Sequence, residues 1–513
     1  MRRRWVVVFA ADAVALLGAG CAQATPAATT PRPNTTPVST AAAAVPAAGG
    51  TVGSWGRAIA VPGLAVLDGG RHGVVMSVSC GSAGNCAAGG FYVDGHGSQG
   101  FVVSERHGRW GRAIEVPGLG ALNTGAGGGE GAEVGSVSCG SAGNCAAGGS
   151  YLDQRRHAQG FVVSETNGVW GRAIEVPGLG ALDQGGQAGV SSVSCGSAGN
   201  CAAGGSYLDQ HRGLQGFVVS EVNGVWGRAI ELPGLGALNT GAGAYEGAEV
   251  VSVSCGSAGN CAAGGYYSTR PVAGRLRRQA FVASEQNGHW QMAIGVPGVA
   301  ALNAGHYAEV FSVSCASAGN CAAGGNYASS APNINGGGHQ QGFVVSERNG
   351  AWGQAIEVPG LAALNTNGDA TVSSVSCASP GNCAAGGNYN GDPQYNDSYG
   401  KGYVVSEKNG VWGQAIHVPG LRALHEGGYS DVSSVSCASP GNCAAGGWYQ
   451  HFRGFVLSQN HGAEGEAVNI PGLGALNTGG EAEVSSVSCP PAGNCAAVGS
   501  YLDSHGRYQG FVT

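Results

Sequence analysis

The chain has 513 residues, a formal net charge of −7 and only 11% charged residues, with no basic stripe of the kind that nucleic-acid binding demands. Glycine supplies 97 positions and runs of Glu, Lys and Leu are missing, a balance that suits an exported β protein. Seventeen cysteines place the chain in an oxidising compartment.

The first element is residues 1–21: Arg2, Arg3 and Arg4, an apolar run from Trp5 to Leu17, then Gly18-Ala19-Gly20 before Cys21. A basic start, a short apolar stretch and small residues before a cleavage point describe a secretory signal. Small residues directly before a cysteine resemble the lipobox of bacterial lipoproteins. That resemblance implies that Cys21 is acylated and becomes the mature N-terminus. Residues 22–50 are almost purely Ala, Thr and Pro, with no aromatic residue and one charge, Arg32. Such a stretch has too little apolar surface to offset its ordering entropy, so a disordered tether is expected. No later segment reaches eighteen apolar residues, so a membrane is expected to be met only through the lipid.

From residue 51 to 513 one unit is written eight times: Ser-Val-Ser-Cys or a close variant, five residues, then Cys-Ala-Ala-x-Gly. Its cysteine pairs are Cys80/Cys86, Cys139/Cys145, Cys195/Cys201, Cys255/Cys261, Cys315/Cys321, Cys377/Cys383, Cys437/Cys443 and Cys489/Cys495. Each pair brackets a five-residue loop between adjacent strands, which predicts a disulfide within each unit. In the third copy four strands are predicted: Val190 to Cys195, Cys201 to Tyr207, Gly216 to Glu221 and Trp226 to Pro233. All are short, rich in β-branched or aromatic residues and bounded by turn residues; Asn223-Gly224 marks a hairpin into the last. Four strands repeated eight times predict an all-β, eight-bladed β-propeller. The segment from Trp55 to Pro62 matches a fourth strand without its first three, and Gly510 to Thr513 matches a third strand without its fourth. The N-terminal strand is therefore expected to complete the last blade and close the ring, removing exposed sheet edges.

Positions repeated eight times have structural explanations first. Tyr92, Tyr151, Tyr207, Tyr267, Tyr327, Tyr389, Tyr449 and Tyr501 each stand six residues after a second cysteine, which marks packing or a repeated hydroxyl anchor. The fourth-strand tryptophans, Trp55 through Trp412, are expected between blades. The turn before them, Ser104-Glu-Arg-His-Gly108-Arg-Trp110 for example, resembles the Asp-box of sialidase-type propellers, with the acid one position early. That resemblance implies architecture only, since no singular set of arginines, tyrosine and carboxylates accompanies it. The repeats as a whole resemble uncharacterised secreted repeat proteins of actinobacteria, which implies location and fold. Eight-bladed quinoprotein dehydrogenases are similar in blade number, but their adjacent cysteine pair is missing here.

No catalytic residue, cofactor or metal is expected from the motifs. Cys-x5-Cys is not a zinc spacing, and the acidic loop from Asp392 to Asp397 lacks the ligand spacing of an EF-hand. Function is expected from variation instead. The first-to-second and third-to-fourth connections are nearly constant, whereas the second-to-third and fourth-to-first connections differ between copies. These two kinds of loop leave opposite faces of an up-and-down blade, and binding residues favour variable loops on a rigid scaffold. The diverse face carries Arg155, Arg156, His157, Tyr245, Arg275, Arg277, Arg278, His306, Tyr307, Tyr395, Asp397, Tyr399, Trp448, His451 and Phe452. Of these, Arg156, Tyr245, Arg277, His306, Tyr307, Tyr395, Tyr399, Trp448 and His451 are the candidate ligand residues. They suit a non-enzymatic recognition or scaffold protein, lipid-anchored or secreted, for an extracellular protein, peptide or glycan. The alternative is a secreted carbohydrate-active hydrolase or lyase, which needs a close pair of carboxylates.

Overall fold

A computed structural model describes residues 54–513 apart from 244–245, 273–274, 331–338, 367, 392–399, 425–427 and 451; of residues 271–276 no side chain is described. Cys21, residues 22–50, Tyr245, Tyr395, Tyr399, His451 and the whole acidic loop from Asp392 to Asp397 lie outside the described residues.

Eight antiparallel sheets form the eight blades of a β-propeller. In blade 3 the first strand, Ala188–Ser197, pairs with Asn200–Leu208, which pairs with Leu214–Val222. The fourth strand departs from the sequence expectation. It is two short pieces, Val225–Trp226 and Ile230–Glu231, both on the third strand. Trp226 faces Glu221 but Ile230 faces Val218, so one extra residue is accommodated between them. Gly227 N–H still donates to the Ser220 carbonyl, while Ala229 N–H turns away and donates to the carbonyl of Pro177 in the preceding blade (2.7 Å). The same alanine-to-proline bond recurs in all eight blades, from Ala58 to Pro471 and Ala113 to Pro62 onward. The interruption joins neighbouring blades.

Closure is as expected. Ile59–Ala60 pairs with Tyr508–Val512, placing the N-terminal strand on the outside of the last blade. The Trp55 indole donates to Ser458 Oγ in blade 7 (3.1 Å), so the closing strand also engages the neighbour that a fourth strand should meet.

The Ser-Val-Ser-Cys motif gains a meaning that the sequence did not disclose. Ser138 Oγ accepts from Cys195 N–H, and Ser136 Oγ accepts from Val193 N–H (both 3.0 Å). Each first strand does this to the next, through Ser434 and Ser436 with Val487 and Cys489, then Ser486 and Ser488 with Val78 and Cys80. The innermost strands are thus stapled around the axis by buried serines. Removing one hydroxyl leaves a buried N–H without an acceptor, at about 1–3 kcal/mol.

The tryptophans do lie between blades. Trp226 Nε1 donates to Ser164 Oγ of blade 2 (3.0 Å), and Ser164 donates to the buried Glu221 of blade 3 (2.5 Å). Ser104 with Trp170 and Glu165, and Ser284 with Trp352 and Glu347, repeat the relay. Burial pushes these glutamates above the usual carboxylate range. The tyrosines are hydroxyl anchors. Tyr92, Tyr151 and Tyr327 donate to Glu115, Glu175 and Glu357 on the outer strand pieces.

Between blades the core repeats eight times. Val190, Val193, Phe217 and Leu179 are buried in one such cluster, and each side chain contributes about 1.5–3 kcal/mol. In Ala-Ala-Gly-Gly the first glycine is set by the neighbour: a Cβ on Gly148 would meet Val190 Cγ1 at 2.8 Å.

Every repeat cysteine is bridged within its own blade. Cys80 bonds Cys86, Cys139 bonds Cys145, Cys195 bonds Cys201 and Cys255 bonds Cys261. Cys315 bonds Cys321, Cys377 bonds Cys383, Cys437 bonds Cys443 and Cys489 bonds Cys495. In the first seven blades the partners stand directly opposite each other on the first two strands, with Cα atoms 3.9–4.0 Å apart. Blade 8 departs from the pattern read in the third copy, where the second strand begins at the second cysteine. Its ladder ends at Ser488 and Ala496, so Cys489 and Cys495 close a loop just beyond it, 4.1 Å apart. That loop holds Pro490 and Pro491 where the other copies have Gly-Ser or Ala-Ser, and proline has no N–H to give to a ladder. Among the described residues no helix is long and apolar enough to cross a membrane.

Candidate functional site on the variable loop face

The face opposite the disulfides rests on a feature absent from the sequence expectation. Each fourth-to-first connection opens with Pro-Gly, the glycine at positive φ (Gly118, 80°), followed by a single helical turn such as Leu119–Leu122. Four residues are too few to show helical periodicity. The buried first residue, a leucine or Val299, fixes the turn, and at Asn123, Asp183, Asn239, Asn303 and Asn365 the residue that follows it clamps the adjoining loops. Asn123 Nδ2 donates to the Ser98 carbonyl and Gln99 Oε1 (both 2.9 Å), while its Oδ1 accepts from Leu152 N–H (3.1 Å). Asn239 and Asn365 do the same for later blades. Connections that vary in sequence therefore start from a constant support.

Two of the candidate ligand residues, His306 and Tyr307, converge on Arg278 of the same face. In blade 4 the second and third strands run on as a long hairpin, Asn260–Val272 and Arg275–Gln286, where a polar loop was expected. Arg278 on this hairpin lies 3.9 Å over the Tyr266 ring and 5.5 Å from the Tyr307 ring. It pairs with Glu309 and, at 3.8 Å, with Glu246. Burial opposes its charge, but Glu309 and both tyrosines hold the guanidinium protonated. Tyr307 donates to Glu309, and His306 lends its carbonyl to Arg278 N–H. The cluster is paired within itself except at Arg278 Nε, which is buried without an acceptor. Arg278, only 21% exposed, is a strut more than a free anchor.

The rest are scattered. Arg277 is half-buried beside Arg278 in the chain. Arg156 is exposed on blade 2 and pairs with Glu130 at 2.6 Å; Arg155 is exposed, and His157 lies 3.9 Å from Asp153. Trp448 is half-buried in blade 7 with its ring 4.8 Å from Phe452.

Sequence reasoning missed a second set. At the loop end of the first strands stand Glu133, Glu249, Glu309, Asp431 and Glu483 in blades 2, 4, 5, 7 and 8. Blade 6 has Thr371 in that place, opposite Asn388. Glu249 accepts from Ser191 of blade 3 (2.9 Å) and from Tyr266 (3.0 Å), and burial pushes it upward. The available signal was an acid directly before Val in five of eight otherwise regular units.

Around Thr371 and Asp431 this rim opens into a cavity of about 330 Å³ across blades 5, 6 and 7. Phe311, Asn326, Asp369, Thr371, Asn388 and Asp431 contribute to its lining, and none of the bridged cysteines does. Asn326 is 5% exposed; its Nδ2 donates to Gln340 Oε1 (2.7 Å), which orients the amide and leaves Oδ1 unpartnered. Thr371 Oγ1 and Asp431 Oδ1 are buried and unpartnered as well. Burial pushes the Asp431 carboxyl up to about 6, with Asn388 hydrogen-bonded to it and Glu483 adding to the rise. Asp369 is also raised by burial, against the pull of His339. Among the described residues no group of three or more His, Cys, Asp and Glu is arranged to hold a metal ion.

No family model and no curated protein matches the chain. Solved structures do. Sqt1 of Chaetomium thermophilum, bound to the N-terminus of ribosomal protein L10, is 11% identical over 87% of this chain and 97% of its own, with a TM-score of 0.47. The β-propeller domain of the Trilobed protease from Pyrococcus furiosus is 7% identical over 77% and 97%, at 0.39. The Hadza microbial sialidase Hz136 is 10% identical over 70% and 68%, at 0.36. Such identities concern the fold alone.

Proposed function

We propose that this chain is an exported recognition propeller, anchored through acylated Cys21 and a tether of residues 22–50, with residues 51–513 as its folded body. It binds an extracellular protein, peptide or glycan on the variable loop face and performs no chemistry of its own. It is a relative of secreted actinobacterial repeat proteins. The observation that carries this reading is the contrast between the two faces. One repeats a disulfide-bridged turn eight times. The other sets diverse loops on a recurrent helical turn with Asn and Asp clamps in most blades, which is how a scaffold presents binding residues. The disulfides support an extracytoplasmic location. The direct test is a glycan and peptide array probed with the purified protein: selective capture is expected, and a blank array overturns the reading. Anchoring is tested by fractionation. Wild type should sediment with membranes and Cys21→Ala should not.

The hydrolase or lyase alternative draws on one observation, that Asp369 and Asp431, both raised by burial, line the same cavity. Release of reducing ends or unsaturated ends from a glycan, lost in both Asp369→Asn and Asp431→Asn, would establish it.

A further inference from the structure

In a chain of eight near-identical units, the positions where one unit departs from the rest are the informative ones. Several departures meet in one place. The bulged residue of each first strand is Met76, Gly135, Ser191, Val251, Ser373, Ser433 or Ser485, but in blade 5 it is Phe311. Bulges re-aim side chains, and this one sets a half-buried aromatic ring on the cavity wall. Thr371 is the one threonine among the rim residues and Asp431 the one aspartate. Blade 6 also replaces the buried third-strand phenylalanine by Tyr403, whose hydroxyl donates to the Thr371 carbonyl (3.0 Å). The repeat is broken where the cavity lies.

We propose that the cavity between blades 5, 6 and 7 is a saccharide-binding site that takes one pyranose unit. This rests on the recognition reading above and names its ligand. The chemistry is that of an acceptor-rich wall beside an aromatic face. Asn326 Oδ1, Thr371 Oγ1 and Asp431 Oδ1 each lack a partner, and an unpaired buried polar atom costs about 1–3 kcal/mol until a donor meets it. Hydroxyl groups supply donors at several points of a small ring, while the ring's C–H face suits Phe311. Asp431 and Thr371 are half-buried residues of the cavity lining whose unpaired oxygens are themselves buried, so a ligand reaches them by turning the side chains. Rotation about the soft terminal torsion of Asp431 exchanges its two oxygens and presents the unpaired one. The volume is at the lower end for small-molecule sites, which fits one sugar unit and not a long chain.

Saturation-transfer NMR on the purified full chain tests this, with glucose, galactose, mannose, rhamnose and N-acetylglucosamine as probes and putrescine as a donor-bearing amine without a sugar ring. At least one sugar should show transfer. Its affinity should fall by about tenfold or more in Thr371→Val, Asp431→Asn and Phe311→Ala, the loss expected for one buried hydrogen bond or contact. Ser150→Ala, at the place of Asn326 in blade 2, should leave it unchanged. Thr371→Val keeps shape, so it remains informative if the other variants melt early. Competition between the monosaccharide and an array-captured glycan reports whether the unit is taken free or at a chain end; either supports the site. Putrescine binding without any sugar overturns the ligand class. A sugar or array ligand held equally by wild type and all three variants overturns the cavity while leaving recognition by this face intact. Absence of any sugar, peptide or glycan binding overturns the recognition reading itself.

Discussion

The two ends of each blade are built on opposite principles. At the disulfide end the connections are short and nearly identical, each first-to-second loop is closed by a bridge, and the serine ladder runs close by. At the loop end the connections differ in length and charge, and polar atoms such as Asp431 Oδ1 and Thr371 Oγ1 remain unpaired. Buried unpaired atoms also occur beside the bridges, as at Glu221 Oε2 opposite Cys201, so what sets the loop end apart is that its unpaired atoms belong to residues lining a cavity of ligand size. Both rest on the same valine and phenylalanine core, so the difference comes from the turns alone.

The largest effect should come from breaking the ring that both ends share. Deleting residues 51–63 removes the outer strand of blade 8 with its bonds from Ala58 to Pro471 and from Trp55 to Ser458. Calorimetry should then show an early, broadened transition, whereas deletion of residues 24–48 should leave the transition in place. If both deletions melt like wild type, ring closure is not what stabilises the propeller.

At the loop end, Arg278→Met should cost about 2–3 kcal/mol in urea denaturation, because Glu309 loses its cationic partner in a largely buried setting. A neutral result would mean that the cluster is solvated and free for ligands. At the disulfide end, replacing both Cys195 and Cys201 by alanine should cost about 2 kcal/mol, the chain-entropy value for so short a loop. Ligand capture by the loop end should survive, which separates the two ends experimentally.

The mildest perturbation is pH. Burial raises Glu165, Glu221, Glu285, Glu347 and Glu407 above the ordinary 4.5. The folded state therefore holds these protons more tightly than the unfolded chain. The resulting stabilisation is complete below 4.5 and is lost as pH rises through the folded-state values. The melting temperature should rise modestly as pH falls from about 7 to about 5. A steady fall over that range would contradict the buried relay.

What the sequence disclosed was whatever depends on local pattern. Strand alternation, the Asn-Gly turns, the cysteine spacing and the complementary end segments led to the blades, the bridges and the closure. What it hid depends on contacts between units. The serines of Ser-Val-Ser-Cys read as ordinary strand residues until the neighbouring blade supplies Cys195 N–H. The break at Gly227–Ala229 needs the Pro177 carbonyl to explain it. On the loop face, arginines and aromatics drew attention by type, yet Arg278 and Tyr307 satisfy one another. Asn326, Thr371 and Asp431 are modest residues far apart in the chain, and only the ring brings them to one wall.

The serine ladder has a further consequence. A stacked array of repeats is a one-dimensional lattice with two loose ends, and fraying starts there. Here the last site neighbours the first, through Ser486 and Ser488 onto Val78 and Cys80. The lattice has a periodic boundary. Every blade has two neighbours, and no blade can leave without parting from both. The position at which the polypeptide happens to start then matters little to the ring, so a chain permuted to begin in another blade's outer strand should find the same circle.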